Sequence, residues 1–112
     1  MEIIRDMIEE SKLTEIAKSQ FGSFVKAVVD LKRRVMAIGG ELHADEEALL
    51  IEDGSEQNNL WGINLYPEKS EEEWIQFDSM INIRPSRDNL SRSVENEDVR
   101  MEIAAIIKTL VV

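Results

Sequence analysis

The spacing of apolar positions changes along the chain, and the expected element changes with it. Ile3, Ile4, Met7 and Ile8 form one cluster and Leu13, Ile16, Ala17 and Phe21 another, on faces that a single straight helix cannot bury together. The spacing predicts a helix from Glu10 to Gln20 ended by Gly22, with residues 2–8 as a separate helical turn or an extended arm. From Phe24 the period is two. Val25, Ala27 and Val29 alternate with Lys26 and Asp30, and Val35-Met-Ala-Ile38 follows the basic stretch Lys32-Arg33-Arg34, which reads as a hairpin. Gly39-Gly40 weakens the second strand or marks a bulge before Glu41-Leu42-His43 resumes it.

Residues 44–54 admit two readings. Asp45 can cap a short helix stopped by Gly54, or a turn over Ala44–Glu47 can lead into a strand over Ala48–Glu52. The strand is preferred, because Leu49-Leu50-Ile51 is short, lies between turn signals and has no helical repeat beyond it. Leu60–Tyr66 is a strand stopped by Pro67, and Gly62 within it marks a bulge or a close backbone approach. After Glu71-Glu72-Glu73, Ile75, Phe77, Ser79, Ile81 and Ile83 alternate with Trp74, Gln76, Asp78, Met80, Asn82 and Arg84. That pattern predicts one long strand, bulged near Asp78-Ser79. Val99, Ile103, Ile106, Ile107 and Leu110 recur at helical spacing behind Asn96, an N-cap with Glu97 and Asp98 in the first turn. The expected fold is α+β: a mostly antiparallel meander of about five strands flanked by an N-terminal and a C-terminal helix packed on one face.

Composition narrows the class. With 112 residues, 43% of them apolar, and few Gly and Pro, the chain suits a single compact domain with an ordinary core, residues 1–8 forming the arm. The longest apolar run, Ile103–Ile107, is far short of a membrane span, and the start lacks the basic head of a secretory leader. The absence of cysteine removes disulfides, thiolate zinc sites and thiol nucleophiles, and fits a cytoplasmic protein. Residues 1–34 hold seven basic and six acidic residues, 35–83 one and twelve, and 84–112 five and five, so nearly all of the net charge of −10 lies in the middle. Such a surface repels phosphates, which disfavours nucleic acid as a partner.

Five runs together resemble a small prokaryotic family of uncharacterised proteins, a domain of unknown function. They are Val25-Lys-Ala-Val-Val-Asp30, Gly39-Gly-Glu-Leu-His-Ala-Asp45, Asp53-Gly-Ser55, Leu60-Trp-Gly-Ile-Asn-Leu-Tyr-Pro67 and Phe77-Asp-Ser-Met-Ile-Asn-Ile-Arg-Pro-Ser86. The resemblance covers about residues 22–108. It implies a compact domain and carries no activity, substrate or catalytic residue.

Two groups of residues stand out as chemistry. If residues 41–45 are extended, Glu41, His43 and Asp45 share one face, where carboxylates can orient an imidazole for acid–base work or hold Mg or Mn. Zinc is disfavoured by a single histidine and no cysteine, and the simpler alternative is a solvated strand end. The second group is Asp78, Asn82 and Arg84 on the long strand with Asn64 on the strand before it; Asn82 and Arg84 join Arg87, Asn89 and Arg92 as a small anion pocket. Here the alternative is a solvated loop. Trp61, Trp74 and Tyr66 read as packing, and the usual phosphate-loop, nucleophile-elbow and zinc-peptidase signatures are absent.

The favoured expectation is a noncatalytic interaction or ligand-binding module without a cofactor. Its partners would be a second copy of the chain and an anionic ligand or acidic protein meeting Arg84, Arg87 and Arg92. The alternative is a small hydrolase or isomerase using Glu41, His43 and Asp45, with Mg or Mn.

Overall fold

The structure, a computed structural model, describes residues 1–112. Its sheet contains β1 (Glu2–Ile4), β2 (Val25–Asp30), β3 (Val35–Ile38), β4 (Leu60–Leu65) and β5 (Ile75–Gln76), in the order β1-β3-β2-β4-β5 with every pair antiparallel. The helices are α1 (Glu10–Ser19), α2 (His43–Glu52) and α3 (Glu97–Leu110). The fold is therefore α+β with flanking helices, as its periodicities imply. Its connectivity differs from a sequential meander: β3 and β4 lie on either side of β2, so the chain crosses β2 through α2. Of residues 2–8, Glu2–Ile4 join the sheet as β1 beside β3, Arg5 and Asp6 bend the chain, and Ile8 makes an isolated bridge to Val111. No helix is long and apolar enough to cross a membrane.

The period of two sorts the strands onto two cores. Val25, Ala27 and Val29 join Met36, Ile38, Trp61, Ile63 and Leu65 against Leu13 and Ala17 of α1 and Ile103, Ile106, Ile107 and Leu110 of α3. The opposite parity, Val28, Val35, Ala37 and Leu60, packs on Leu50 of α2. The two terminal helices thus share a face, as expected, while α2 covers the other. Asn96 caps α3 by accepting from the Val99 amide at 3.2 Å, and Gly22 closes α1 by donating to the Ala17 carbonyl.

Helix α2 replaces the strand expected over Ala48–Glu52. Its buried residues are Glu46 and Leu50, a helical stripe whose first member is an acidic residue, so an apolar pattern cannot reveal it. Gly39-Gly40 ends β3, and Glu41-Leu42-His43 does not resume it. The Glu46 carboxyl accepts from the Gly40 amide at 2.9 Å. A Cβ on Gly40 would stand 2.8 Å from Glu46 Cγ, so that approach needs glycine. Burial raises the Glu46 pKa to about 9, against the opposing pull of the Gly40 bond, Lys26 and the N-terminal ammonium, and the group is neutral at pH 7. At the far end of α2, Asp53 accepts from Arg5 at 2.8 Å and Arg33 at 2.6 Å. Those bonds hold its carboxyl well below the usual range.

The long strand expected over 74–84 is also replaced. Only Ile75 and Gln76 pair with β4. Ile75 and Phe77 pack against the α1/α3 core while Ile81 packs against the α2 core: residues of one parity lie on opposite faces because the chain passes round the sheet edge near Asp78-Ser79. Short 3₁₀ turns follow at Met80–Asn82 and Pro85–Arg87. Side chains then complete the ladder. Asn82 Oδ1 accepts from the Gly62 amide at 2.8 Å and Asn82 Nδ2 donates to the Gly62 carbonyl at 2.9 Å. Arg84 and Arg87 both donate to the Leu60 carbonyl, at 3.0 and 2.9 Å. A Cβ on Gly62 would lie 2.6 Å from Ser79, which identifies the glycine as a site of close approach.

Two outcomes follow from these buried polar groups. Asn82→Ala leaves the Gly62 amide and carbonyl without partners, and chemical denaturation should show a loss of about 2–4 kcal/mol with faster exchange of the Gly62 amide. For Glu46, whose folded pKa is raised, the stabilisation is fully present below the unfolded value and lost as pH rises toward about 9. The unfolding free energy measured by chemical denaturation between pH 5 and 9 should therefore fall by on the order of a few kcal/mol, and Glu46→Gln should flatten that slope.

Candidate functional site

The register of the sheet places Lys26 opposite Asn64 and Asn64 opposite Gln76, a polar row on the α2 side. Helix α2 begins above this row with His43, and the segment leaving β5 brings in Asp78 and, from further along, Arg92. Together these groups line a cavity of about 410 Å³, with Phe24, Leu42 and Met80 at its rim. The volume lies within the roughly 300–1,000 Å³ usual for small-molecule sites. Phe24 stacks on Phe21 at 4.9 Å between centroids and tilts against Tyr66 at 5.3 Å, which fixes the apolar side of the rim.

The floor is hydrogen-bonded with one conspicuous omission. His43 Nε2 lies 2.8 Å from the Ile63 carbonyl; only an N–H can serve a carbonyl, so the neutral ring carries its proton there and leaves Nδ1 as an acceptor. Burial lowers the His43 pKa, opposed by the Ile63 bond; Lys26 lowers it further, and Asn64 and Asp78 raise it. Asn64 Nδ2 donates to Gln76 Oε1 at 2.9 Å and to the Asp78 carbonyl at 3.2 Å, which fixes the orientation of its amide. Asn64 Oδ1 then has no donor, although the residue is only 6% exposed. Lys26 Nζ donates to the Glu41 carbonyl at 2.8 Å. Arg92 grips Asp78 at 2.7 and 3.4 Å. Helix α2 has Leu42 at its N-cap and no capping side chain, which leaves the His43 and Ala44 amides without helical partners.

The structure redistributes the residues singled out from sequence. His43, Asn64, Asp78 and Arg92 come together in the cavity. Glu41 and Asp45 do not join His43, because the helix starting at His43 breaks the extended geometry that would align them, and both are exposed. No three histidine or acidic side chains are arranged to hold a metal ion. Nor do Arg84, Arg87 and Arg92 form a common anion pocket. Arg84 pairs with Glu47 and donates to the carbonyls of Gln57 and Leu60. Arg87 lies 4.0 Å over the Trp61 ring, and burial, with Arg84 nearby, lowers its pKa to about 10. Asn82 and Asn89 are framework: Asn89 Nδ2 donates to the carbonyls of Asn82, Ser91 and Ser93, and its Oδ1 accepts from the Glu95 amide.

Sequence reading missed Lys26 and Gln76. Their signal was the polar parity of β2 and β5, which becomes a site only once the strand order sets the two on either side of Asn64.

The buried neutral ring gives a direct check. The His43 ring protons should titrate below the ordinary value of about 6.5 in an NMR pH series. Because the folded pKa is lowered, the associated stability is present above the unfolded value and lost on acidification through it. A ring titrating at or above the ordinary value would refute the buried neutral assignment.

Neither a curated protein nor a solved structure matches the chain. A family model does, over residues 2–110: the chain belongs to the family described as protein of unknown function (DUF5674).

Proposed function

We propose that the chain is a noncatalytic binding module and that the cavity between β4, the start of α2 and the segment after β5 takes a small ligand bearing a negative charge. One observation carries the reading: the cavity brings Lys26 together with the uncapped start of α2 at Leu42–Ala44, beside a neutral His43. Lys26 is the basic residue of the cavity not engaged by an acidic side chain, since Arg92 is held by Asp78. The local excess of positive charge contrasts with the acidic chain around it, whose net charge is −10, and draws an anion to this spot.

Four of the runs that carry the family resemblance each supply the cavity, through Lys26, His43, Asn64 and Asp78. Binding is favoured over acid–base chemistry because the carboxylate acting on His43 is Asp78, which Arg92 already holds. The anionic ligand expected from the sequence is retained, but its contacts move from the arginine loop to this cavity.

An NMR titration of the ¹⁵N-labelled protein with a panel of small carboxylates and inorganic phosphate tests the reading. Saturable shifts should centre on the amides of Lys26, His43, Asn64 and Gln76 and weaken about tenfold or more in Lys26→Met. Shifts confined to Arg84, Arg87 and their neighbours would overturn it in favour of the arginine loop.

A further inference from the structure

The charges in this cavity do not balance, and part of its apolar lining is left out of both cores. Lys26, His43, Asp78 and Arg92 are the titratable side chains that line it. Arg92 and Asp78 are joined at 2.7 Å and cancel, His43 is neutral, and Lys26 donates to a backbone carbonyl rather than to an acid. Glu46, on which Lys26 also acts, is uncharged. The cavity therefore holds one uncompensated positive charge. Two of its lining residues are apolar and open to solvent, Leu42 at 57% and Met80 at 64% exposure, and neither belongs to either hydrophobic core. Leu42 also occupies the N-cap of α2, where Ser, Thr, Asp or Asn would supply a bond that leucine cannot. Phe24, Ala44 and Ile81 complete the apolar lining.

We propose that the ligand is a small aliphatic monocarboxylic acid, bound as its carboxylate. This inference rests on the anion-binding reading above and names its ligand class. The carboxylate lies against the Lys26 ammonium, which retains hydrogens beyond the one given to the Glu41 carbonyl. It carries a single negative charge at pH 7 and matches the excess one for one. A phosphate monoester carries about −1.5 to −2 and would leave a surplus in a chain whose net charge is already −10. The aliphatic tail covers Leu42 and Met80, removing apolar surface of ligand and protein from water. A bare anion such as acetate would satisfy Lys26 and leave those side chains in water. A neutral hydrocarbon would cover them and leave the ammonium unmatched. The cavity, at about 410 Å³, has room for a molecule that does both.

The test is an NMR titration of the full chain with 4-methylpentanoate, acetate, which lacks the tail, inorganic phosphate, and 4-methylpentanamide, which lacks the charge. 4-Methylpentanoate should shift the amides of Lys26, Leu42, His43 and Met80 saturably, and each of the other probes should bind about tenfold or more weakly. Met80→Gln, at an exposed position outside both cores, should weaken 4-methylpentanoate several-fold with an unchanged melting temperature. If acetate or phosphate binds as tightly as 4-methylpentanoate, or if Met80→Gln leaves its affinity intact, the aliphatic assignment is overturned while the anion-binding reading stands. If 4-methylpentanamide binds as tightly, the anion-binding reading fails and this inference with it. If none of the probes shifts the cavity amides, both are overturned.

Discussion

The structure depends on how the outer edge of β4 is closed. A strand left with free amides and carbonyls needs partners, and β5 supplies them for only two residues before the chain leaves the ladder. The Asn82 side chain takes over at Gly62, and two guanidinium groups take over at the Leu60 carbonyl. An amide side chain reproduces the donor and acceptor of a strand residue without requiring the backbone to follow the strand. The chain is thereby released to cross the sheet edge, carrying Phe77 to one core and Ile81 to the other. This crossing positions Asp78 beside Asn64 and allows Arg92 to reach it.

The other wall of the cavity has a different origin. Helix α2 can begin at His43 because β3 ends at Gly39-Gly40 and the Glu46 carboxyl tucks under the Gly40 amide. Glu46 is charged in sequence and neutral in the fold, a state imposed by burial. Its neighbour Glu47, one residue along, pairs with Arg84. Adjacent glutamates thus bind α2 to two different parts of the molecule, one by accepting from the Gly40 amide and the other through an ion pair.

Much of the frame was legible in the sequence. The alternation of Val25, Ala27 and Val29, the Asn96 cap and the helical repeat from Val99 to Leu110 are patterns of local physics, and the fold keeps them. The two segments read as strands, 48–52 and 74–84, failed for reasons that are not local. In the first, the buried face of the helix includes a glutamate, so hydrophobic periodicity could not register it. In the second, alternation over Ile75 to Ile83 is real, but a sheet edge lies in the middle of it and reverses which side is inside. The site shared this fate. His43 and Asn64 were visible as polar residues in odd places, whereas Lys26 and Gln76 gained meaning only from the strand order.

Closure by side chains has a consequence for how the molecule meets its own copies. A backbone edge is a template that another chain can extend, and each added strand presents a fresh template in turn. An asparagine amide and two guanidinium groups are not a template: they satisfy Gly62 and Leu60 and end the series. At the opposite margin β1 retains a bare outer side. A strand added there would meet copies whose β4 side is already terminated, so pairing at that margin could not run on into an open-ended ribbon.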